Sequence, residues 1–446
     1  MSDPASSILI ECFNMGLPRG TGIKTYATGL ARVARDLGYD VHGLFESAGP
    51  LSKKEPLLAE IAFQENARRA TLRDRFVRDP LEIALGKPFG LPVQPLPRSA
   101  FVLRSGSGAQ DVFSRYFASP RFTLAARRHL WRHGTLARLN LEERPALFHA
   151  THPVPVKVPD RPNLYTVHDV IPLRLPNATL DNKKYFLKTL RAICRDADRI
   201  VTVSECSKKD ILSVVDIPEE RIEVTYQSTT FPARLVERDR VEDERIVENI
   251  FSLTPNGYHL FFGSLEPKKN VTRLIDAYAA SGVSAPLIIA GGLGWSYEAD
   301  LERIGDEQFS SWRVAQDHIR RERKVRRFEH LPLSHLVALI KCARGVLFPS
   351  LYEGFGLPVL EAMSLGTPVM TSNVSSLPEV AGEAALLVDP YDVDAMAAAI
   401  ATLDRDADLR ADLSARGLKR AKIFSQEVYA DRVAALYRRV LGQALR

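Results

Sequence analysis

Cysteine is scarce in this 446-residue chain, and long apolar runs are missing. Its four cysteines, Cys12, Cys194, Cys206 and Cys342, lack the paired spacing of a zinc site or a redox couple. Inert, reduced thiols are expected. No stretch approaches the roughly 18 consecutive apolar residues that a membrane-crossing helix needs, so none is expected. The opening MSDPASSILIECF has no basic segment followed by a long apolar core, which argues against a secretory signal. A cytoplasmic location follows as the expectation. No recognisable nucleic-acid-binding module is present either, so nucleic acid is not an expected partner.

What is present suits a globular protein of two or three domains, because a chain this long exceeds one ordinary core. The net charge of +6 is unevenly placed. Residues 61–144 hold 15 Arg/Lys against 7 Asp/Glu, so the whole basic excess lies there. Within that span Tyr116, Phe117, Phe122, Leu124, Leu130, Trp131, Leu136 and Leu139 interleave with arginines. A basic amphipathic stretch of this kind suits an anionic membrane surface or a lipid-diphosphate acceptor, the bland alternative being a solvated surface helix.

Ile8–Phe13 is apolar, Asn14–Gly22 is glycine-rich, and Ile23–Leu37 has helical spacing before an alternating run at 39–45. Strand, glycine loop, helix and strand open a doubly wound α/β sheet. Gly20-Thr21-Gly22 is not the full dinucleotide pattern, so NAD binding has little support. Residues 50–145, broken by prolines, fit no α/β rhythm and are expected as an insertion. Leu164–Val167 runs into His168-Asp169, which places His168 at the carboxyl end of a strand, where open parallel sheets take ligands. The bland alternative is a structural histidine whose ring Asp169 holds.

The expected boundaries are a first Rossmann-like domain over 1–230, a charged linker over 231–250, a second domain over 251–424 and a final helix over 425–446. That helix is expected to cross back to the first domain. His259–Phe262 restarts a sheet and leads to Ser264, Lys268, Lys269 and Asn270, with Asn270 read as a helix cap. Asp392-Val393-Asp394 precedes a helix and reads as a cap, so no metal is expected there.

The stretch 346–382, VLFPSLYEGFGLPVLEAMSLGTPVMTSNVSSLPEVAG, carries the most information. A buried strand ends at Phe348, and Pro358 suits the first turn of the helix that follows. Gly354 and Gly356 let something approach the backbone closely, and the free N–H groups of a helix start attract an anion, usually phosphate. Glu353 and Glu361 bracket that site. Carboxylates would repel phosphate, so they are read as acceptors for sugar hydroxyls beside it. A nucleotide-sugar site is the reading.

The same stretch resembles the Glu-x7-Glu signature of the retaining glycosyltransferases of family 4, here Glu353 to Glu361. The likeness continues through Gly366-Thr367-Pro368-Val369, Leu377-Pro378-Glu379-Val380 and Ala384–Pro390. It is densest over 160–210 and 258–400. The resemblance implies the GT-B architecture, two facing Rossmann-like domains with the first on the acceptor side and the second binding the nucleotide sugar, and metal-independent hexosyl transfer from a nucleotide-diphosphate sugar with retention. It implies that Gly20, Thr21 and Gly22 lie over the diphosphate and that Lys269 offsets charge on the leaving group, with Ser264 and Lys268 nearby. By the same resemblance Leu331 meets the base through its backbone, and Gly354, Phe355, Gly356 and Leu357 cradle phosphate. Glu361 takes the ribose hydroxyls, Glu353 grips the sugar, and His168 reaches it. Ser264 stands where relatives often have arginine.

The expected acceptor is a glycan or a polyprenyl-diphosphate-linked glycan, possession of a membrane-facing basic segment placing the chain at the inner membrane surface. Residues 372–382 look like those of GDP-mannose users, and UDP-sugar users share much of them. An epimerase, a phosphorylase or an inactive binding protein on the same architecture is the rival expectation.

Overall fold

The computed structural model describes residues 7–16, 22–49, 51–52, 54–65, 90–99, 101–102, 112–229, 231–315 and 318–442. Two parallel-sheet units account for most of them. In the first, the strands are β1 (Ser7–Glu11), β2 (Asp40–Ser47), β3 (Gln94–Pro95), β4 (Arg115–Pro120), β5 (Leu147–Ala150), β6 (Asn163–Thr166), β7 (Arg199–Thr202) and β8 (Ile222–Val224). They line up as β8-β7-β6-β5-β1-β2-β4-β3, all parallel except the short β3 at the edge.

The second unit holds β9 (His259–Phe262), β10 (Leu287–Ala290), β11 (Val325–Phe328), β12 (Gly345–Phe348), β13 (Val369–Ser372) and β14 (Ala385–Val388). Their order, β11-β10-β9-β12-β13-β14, is fully parallel and doubly wound. Strands such as HLFF and GVLF are buried along their whole length, as a sheet covered on both faces requires.

Seven helices matter below: α1 (Gly22–Asp36), α2 (Phe122–His133), α3 (Glu205–Val214), α4 (Arg240–Phe251), α5 (Val271–Ala280), α6 (Leu357–Ser364) and α7 (Gln426–Leu441). The last of them, α7, lies against the first unit: Tyr437 hydroxyl meets His149 Nδ1 at 2.9 Å and its ring packs edge-on to Tyr39.

Three expectations change. The span 50–145 is not simply an insertion, because β4 pairs with β2 and brings Tyr116, Phe117 and Ala118 into the sheet's core. The interleaved arginines hid a strand, then α2, then a second short strand at Ala137–Asn140 that buries Ala137 and Leu139. Residues 66–89 lie outside the described residues. The stretch 231–250 is no open tether either, since α4 fills most of it and buries Val247 and Phe251 against the second unit. Burying a Phe of this kind is worth about 1.5–3 kcal/mol, enough to fix the helix. Its charge density is a helix's solvent face, with buried Asp243 joined to Arg238 and, at 2.5 Å, to Lys341. Finally, Asn270 stands at the N-cap of α5 without capping it: its backbone is left-handed, φ 61°, and its side chain turns elsewhere.

Candidate active site

The second sheet changes winding direction between β9 and β12, the point outside whose strand ends open parallel sheets take ligands. The loops leaving these two strands carry the site. Asn270 staples them, because its Nδ2 donates to the carbonyls of Pro349 at 3.1 Å and Pro390 at 2.7 Å. Leu351 N–H donates to the Lys268 carbonyl at 2.8 Å, which draws the loops closer still. Lys269 Nζ therefore reaches Glu353 Oε1 at 2.5 Å, and Lys268 Nζ stands 3.9 Å from Glu353 Oε2. Ser350 hydroxyl donates to Glu353 Oε1 at 2.9 Å.

Both Lys269 and Glu353 are buried. Burial alone pushes the Glu353 carboxyl up, but the charges of Lys269 and Lys268 and the Lys269 and Ser350 hydrogen bonds outweigh it and hold the carboxyl below its usual range. Lys268 is pulled down by burial and raised more by Glu353, Asp169 and Glu266, so it stays cationic. Ser264 hydroxyl donates to Glu266 Oε1 at 2.5 Å, which puts it beside the lysines without pairing to them.

Serines shape the loop before α6. Glu353 N–H donates to Ser375 Oγ at 3.1 Å, and Ser376 hydroxyl donates to the carbonyls of Glu353 and Phe355, each at 2.9 Å. Gly356 follows at φ 102°, where a Cβ would also meet Leu377 Cδ2 at 2.7 Å. It starts α6, with Pro358 in the first turn. The N–H groups of Gly356 and Leu357 carry no partner among the described residues, which leaves a helix N-terminus open to an anion. Phe355 is not part of that opening through its side chain. Its ring is buried against Phe424 and Tyr226. Glu361 sits one turn into α6 with no hydrogen-bond partner for its carboxyl among the described residues, and burial pushes it up to about 7 while Lys269 pulls it back only partly.

The first unit closes the site. Gly354 abuts it so tightly that a Cβ there would stand 2.6 Å from the His168 carbonyl. Ser204 and Ser207 hydroxyls donate to the Gly354 carbonyl at 2.6 and 3.1 Å. Across the same seam, Glu379 accepts from the N–H groups of Glu205 at 2.8 Å and Cys206 at 3.1 Å, at the start of α3. His168 Nε2–H donates to the Thr151 carbonyl at 3.0 Å, so its Nδ1 is left to accept from Gln227 Nε2 at 3.3 Å. Burial is the main cause that pulls this imidazole down to about 4, so it is neutral near pH 7. Asp169 does not hold the ring. It accepts from Ile171 N–H at 3.0 Å instead.

The arrangement thus joins Lys268, Lys269 and Glu353 directly and sets Gly354 against the His168 backbone, while the His168 ring stays with Thr151 and Gln227. Ser264, Gly356, Leu357 and Glu361 border the group. Leu331 packs on the second unit's core after His330, whose φ is 49°. Gly22 opens α1, while Gly20 and Thr21 lie outside the described residues. Sequence reading did not find Gln227, Ser350, Ser375 or Ser376 as supports, although the serine density of SNVSSLPE was a visible signal.

Paired cations, an open helix start and two carboxylates thus meet at a winding switch, faced by a second parallel-sheet unit in the GT-B arrangement. Known proteins agree on the class. Residues 244–420 match the family described as Glycosyl transferases group 1, and residues 20–228 match Glycosyltransferase Family 4. The chain thus carries the domains of a glycosyltransferase, one family match over each sheet unit. It is similar to O-antigen chain mannosyltransferase B of Escherichia coli, 36% identical over 267 residues that span 59% of this chain and 66% of that one. It is 28% identical over 262 residues to the serotype-specific mannosyltransferase WbdA of Escherichia coli, spanning 58% of this chain and 31% of that one. These matches therefore span just under two thirds of the first relative's length and under a third of the second's. Among solved structures, sucrose-phosphate synthase from Thermosynechococcus elongatus has a TM-score of 0.66 at 16% identity, covering 98% of this chain and 100% of that one.

Proposed function

We propose that the chain transfers a mannosyl residue from GDP-mannose to a glycan or lipid-linked glycan acceptor, with retention at the anomeric carbon. The observation that carries the reading is the buried Lys269–Glu353 pair beside the open start of α6. In this reading Lys268, Lys269 and the α6 N-terminus offset charge on the departing diphosphate. Glu361 accepts from the ribose hydroxyls, and Glu353 grips the hexose through its second oxygen. The acceptor oxygen bonds to the anomeric carbon, the bond to the diphosphate oxygen breaks, and the hydroxyl proton passes to the departing phosphate. The mannosyl part of the reading draws on the relatives above, which are mannosyltransferases by name.

A panel of nucleotide sugars tested by thermal shift decides the donor, because a ligand that binds the folded state stabilises it in proportion to occupancy. GDP-mannose is expected to stabilise the chain most; a larger shift with a UDP-sugar would replace the donor. Product analysis with and without acceptor separates transfer from epimerase or phosphorylase activity. The reading is metal-independent, since lysines supply the offsetting charge, and full turnover in excess chelator is its check. It also keeps the basic segment 61–144 as a dock for anionic lipid. There Trp131 is exposed beside Lys188, whose Nζ lies 4.6 Å from the ring, and among the described residues no helix is long and apolar enough to cross a membrane. Salt-sensitive binding to anionic vesicles is the result expected of that dock.

A further inference from the structure

The first sheet has a winding switch of its own, between β1 and β5. Open parallel sheets take ligands outside the strand ends at such a point. Two residues that neither the donor site nor the family assignment uses arrive there together. Glu11 ends β1 with no exposed surface, and His152 follows β5 by two residues. The Glu11 carboxylate accepts from Phe13 N–H at 2.5 Å, from Thr151 hydroxyl at 3.0 Å and from His152 Nδ1 at 2.8 Å. Its acceptance fixes the proton on Nδ1 and turns the other ring edge outward.

His149, on the same strand, shows what a structural histidine looks like here. It is fully buried, and both its nitrogens are engaged, with Tyr437 hydroxyl at 2.9 Å and Thr166 Oγ1 at 3.0 Å. His152 differs on each count. Its side chain is 18% exposed, and Nε2 has no hydrogen-bond partner among the described residues. The Phe13 ring stands beside it, with centroids 5.9 Å apart. Thr151, the residue between, gives its carbonyl to His168, so these strand ends adjoin the place where the Glu353–Gly354 loop meets the first unit.

We propose that His152, oriented by Glu11, holds a hydroxyl of the sugar acceptor through Nε2, with Phe13 against the sugar's apolar face. A hydroxyl both donates and accepts, so it meets either protonation state of that edge. Glu11, with Glu46 close enough to act on the His152 charge, makes these strand ends unwelcoming to a phosphate. The proposal rests on the glycosyl-transfer reading above, and its test separates the two.

The test uses the full chain, the nucleotide sugar that stabilises it most, and methyl α-D-mannopyranoside as acceptor probe. His152→Ala and Glu11→Gln are expected to raise the probe's KM about tenfold, the scale of one strong hydrogen bond, and to leave the donor KM unchanged. An unchanged probe KM, or a rise in donor KM alone, overturns the proposal. The second arm needs no turnover and no Glu11 variant. The His152 ring-proton resonance, assigned by its loss in His152→Ala, is expected to shift saturably as the probe is added. An unmoved resonance overturns the proposal, whereas a chain that uses no nucleotide sugar fails the transfer reading alone.

Discussion

Lys269 Nζ donates to Glu353 Oε1 at 2.5 Å, and both side chains are about nine-tenths buried. The lysine is therefore committed to a carboxylate before any diphosphate arrives. Removing one member of a buried pair strands the other's charge, at a cost of about 3–5 kcal/mol. Lys269→Ala is expected to lose transfer and to lower the unfolding midpoint while the chain still folds. The double variant Lys269→Met, Glu353→Leu is expected to recover most of the midpoint and none of the activity. Thermal denaturation beside an activity assay separates the two effects. A lone Lys269→Ala with full activity would remove this lysine from the mechanism.

In the proposed reading Glu361 sets the pH response of donor binding. Its carboxyl is pushed up to about 7, so it is largely protonated below that pH and ionised above it. Only the ionised form is a pure acceptor for two ribose hydroxyls. Donor affinity is expected to rise as pH increases through about 7 and to level off beyond it. Glu361→Gln is expected to bind more weakly than the ionised wild type, with no such slope. The stability sign runs the other way: the folded state holds this proton more tightly than the unfolded chain, so Glu361's contribution to stability falls as pH rises from its ordinary value of 4.5 toward 7. His168, at about 4, titrates below the donor window. Calorimetric donor titrations across that range check the prediction.

Gly354 is a contact between units, not only a place for a ligand. A methyl group there would stand 2.6 Å from the His168 carbonyl and 3.0 Å from Asp169 Cβ. Gly354→Ala must push the two units apart or shift the histidine loop, a strain of about 1–3 kcal/mol. It is expected to lower kcat more than it weakens nucleotide binding, because in the proposed reading most of the groups that hold the nucleotide, Lys268, Lys269, the start of α6 and Glu361, belong to the second unit. Equal losses in both would place Gly354 in the phosphate cradle alone.

These relationships mark how far the sequence could be read. Period, glycine and proline signals placed β1, α1, β9, β12 and α6, and the residues that proved to meet (Lys269, Glu353 and Gly354) were visible as a pattern. What stayed hidden depends on long-range contact. Arg115–Pro120 looked like part of a basic helix because arginines flank its aromatic pair, and only pairing to β2 makes it a strand. Asn270 looked like a cap because it precedes a helix, yet its amide bridges two loops 79 and 120 residues away. The His168 ring had an obvious partner next door in Asp169, while its real partners, Gln227 and the Thr151 carbonyl, lie 59 and 17 residues off. Sequence proximity misled wherever a side chain bridges rather than caps.

Glu379 tests whether the seam between units matters to the reaction. Both its oxygens are taken by the first N–H groups of α3, in the other unit. A carboxylate at a helix N-terminus is worth about 0.3–1 kcal/mol when exposed and up to about 2 kcal/mol when partly buried. That is small against global stability but large against the balance between an open and a closed cleft. Glu379→Ala is therefore expected to leave the unfolding midpoint nearly unchanged while speeding hydrogen exchange at Glu205 and Cys206. If closure brings His168 to the donor loop, the same variant lowers kcat with little change in donor KM. Faster exchange with an unaltered kcat would show that the clamp steadies α3 without gating the cleft.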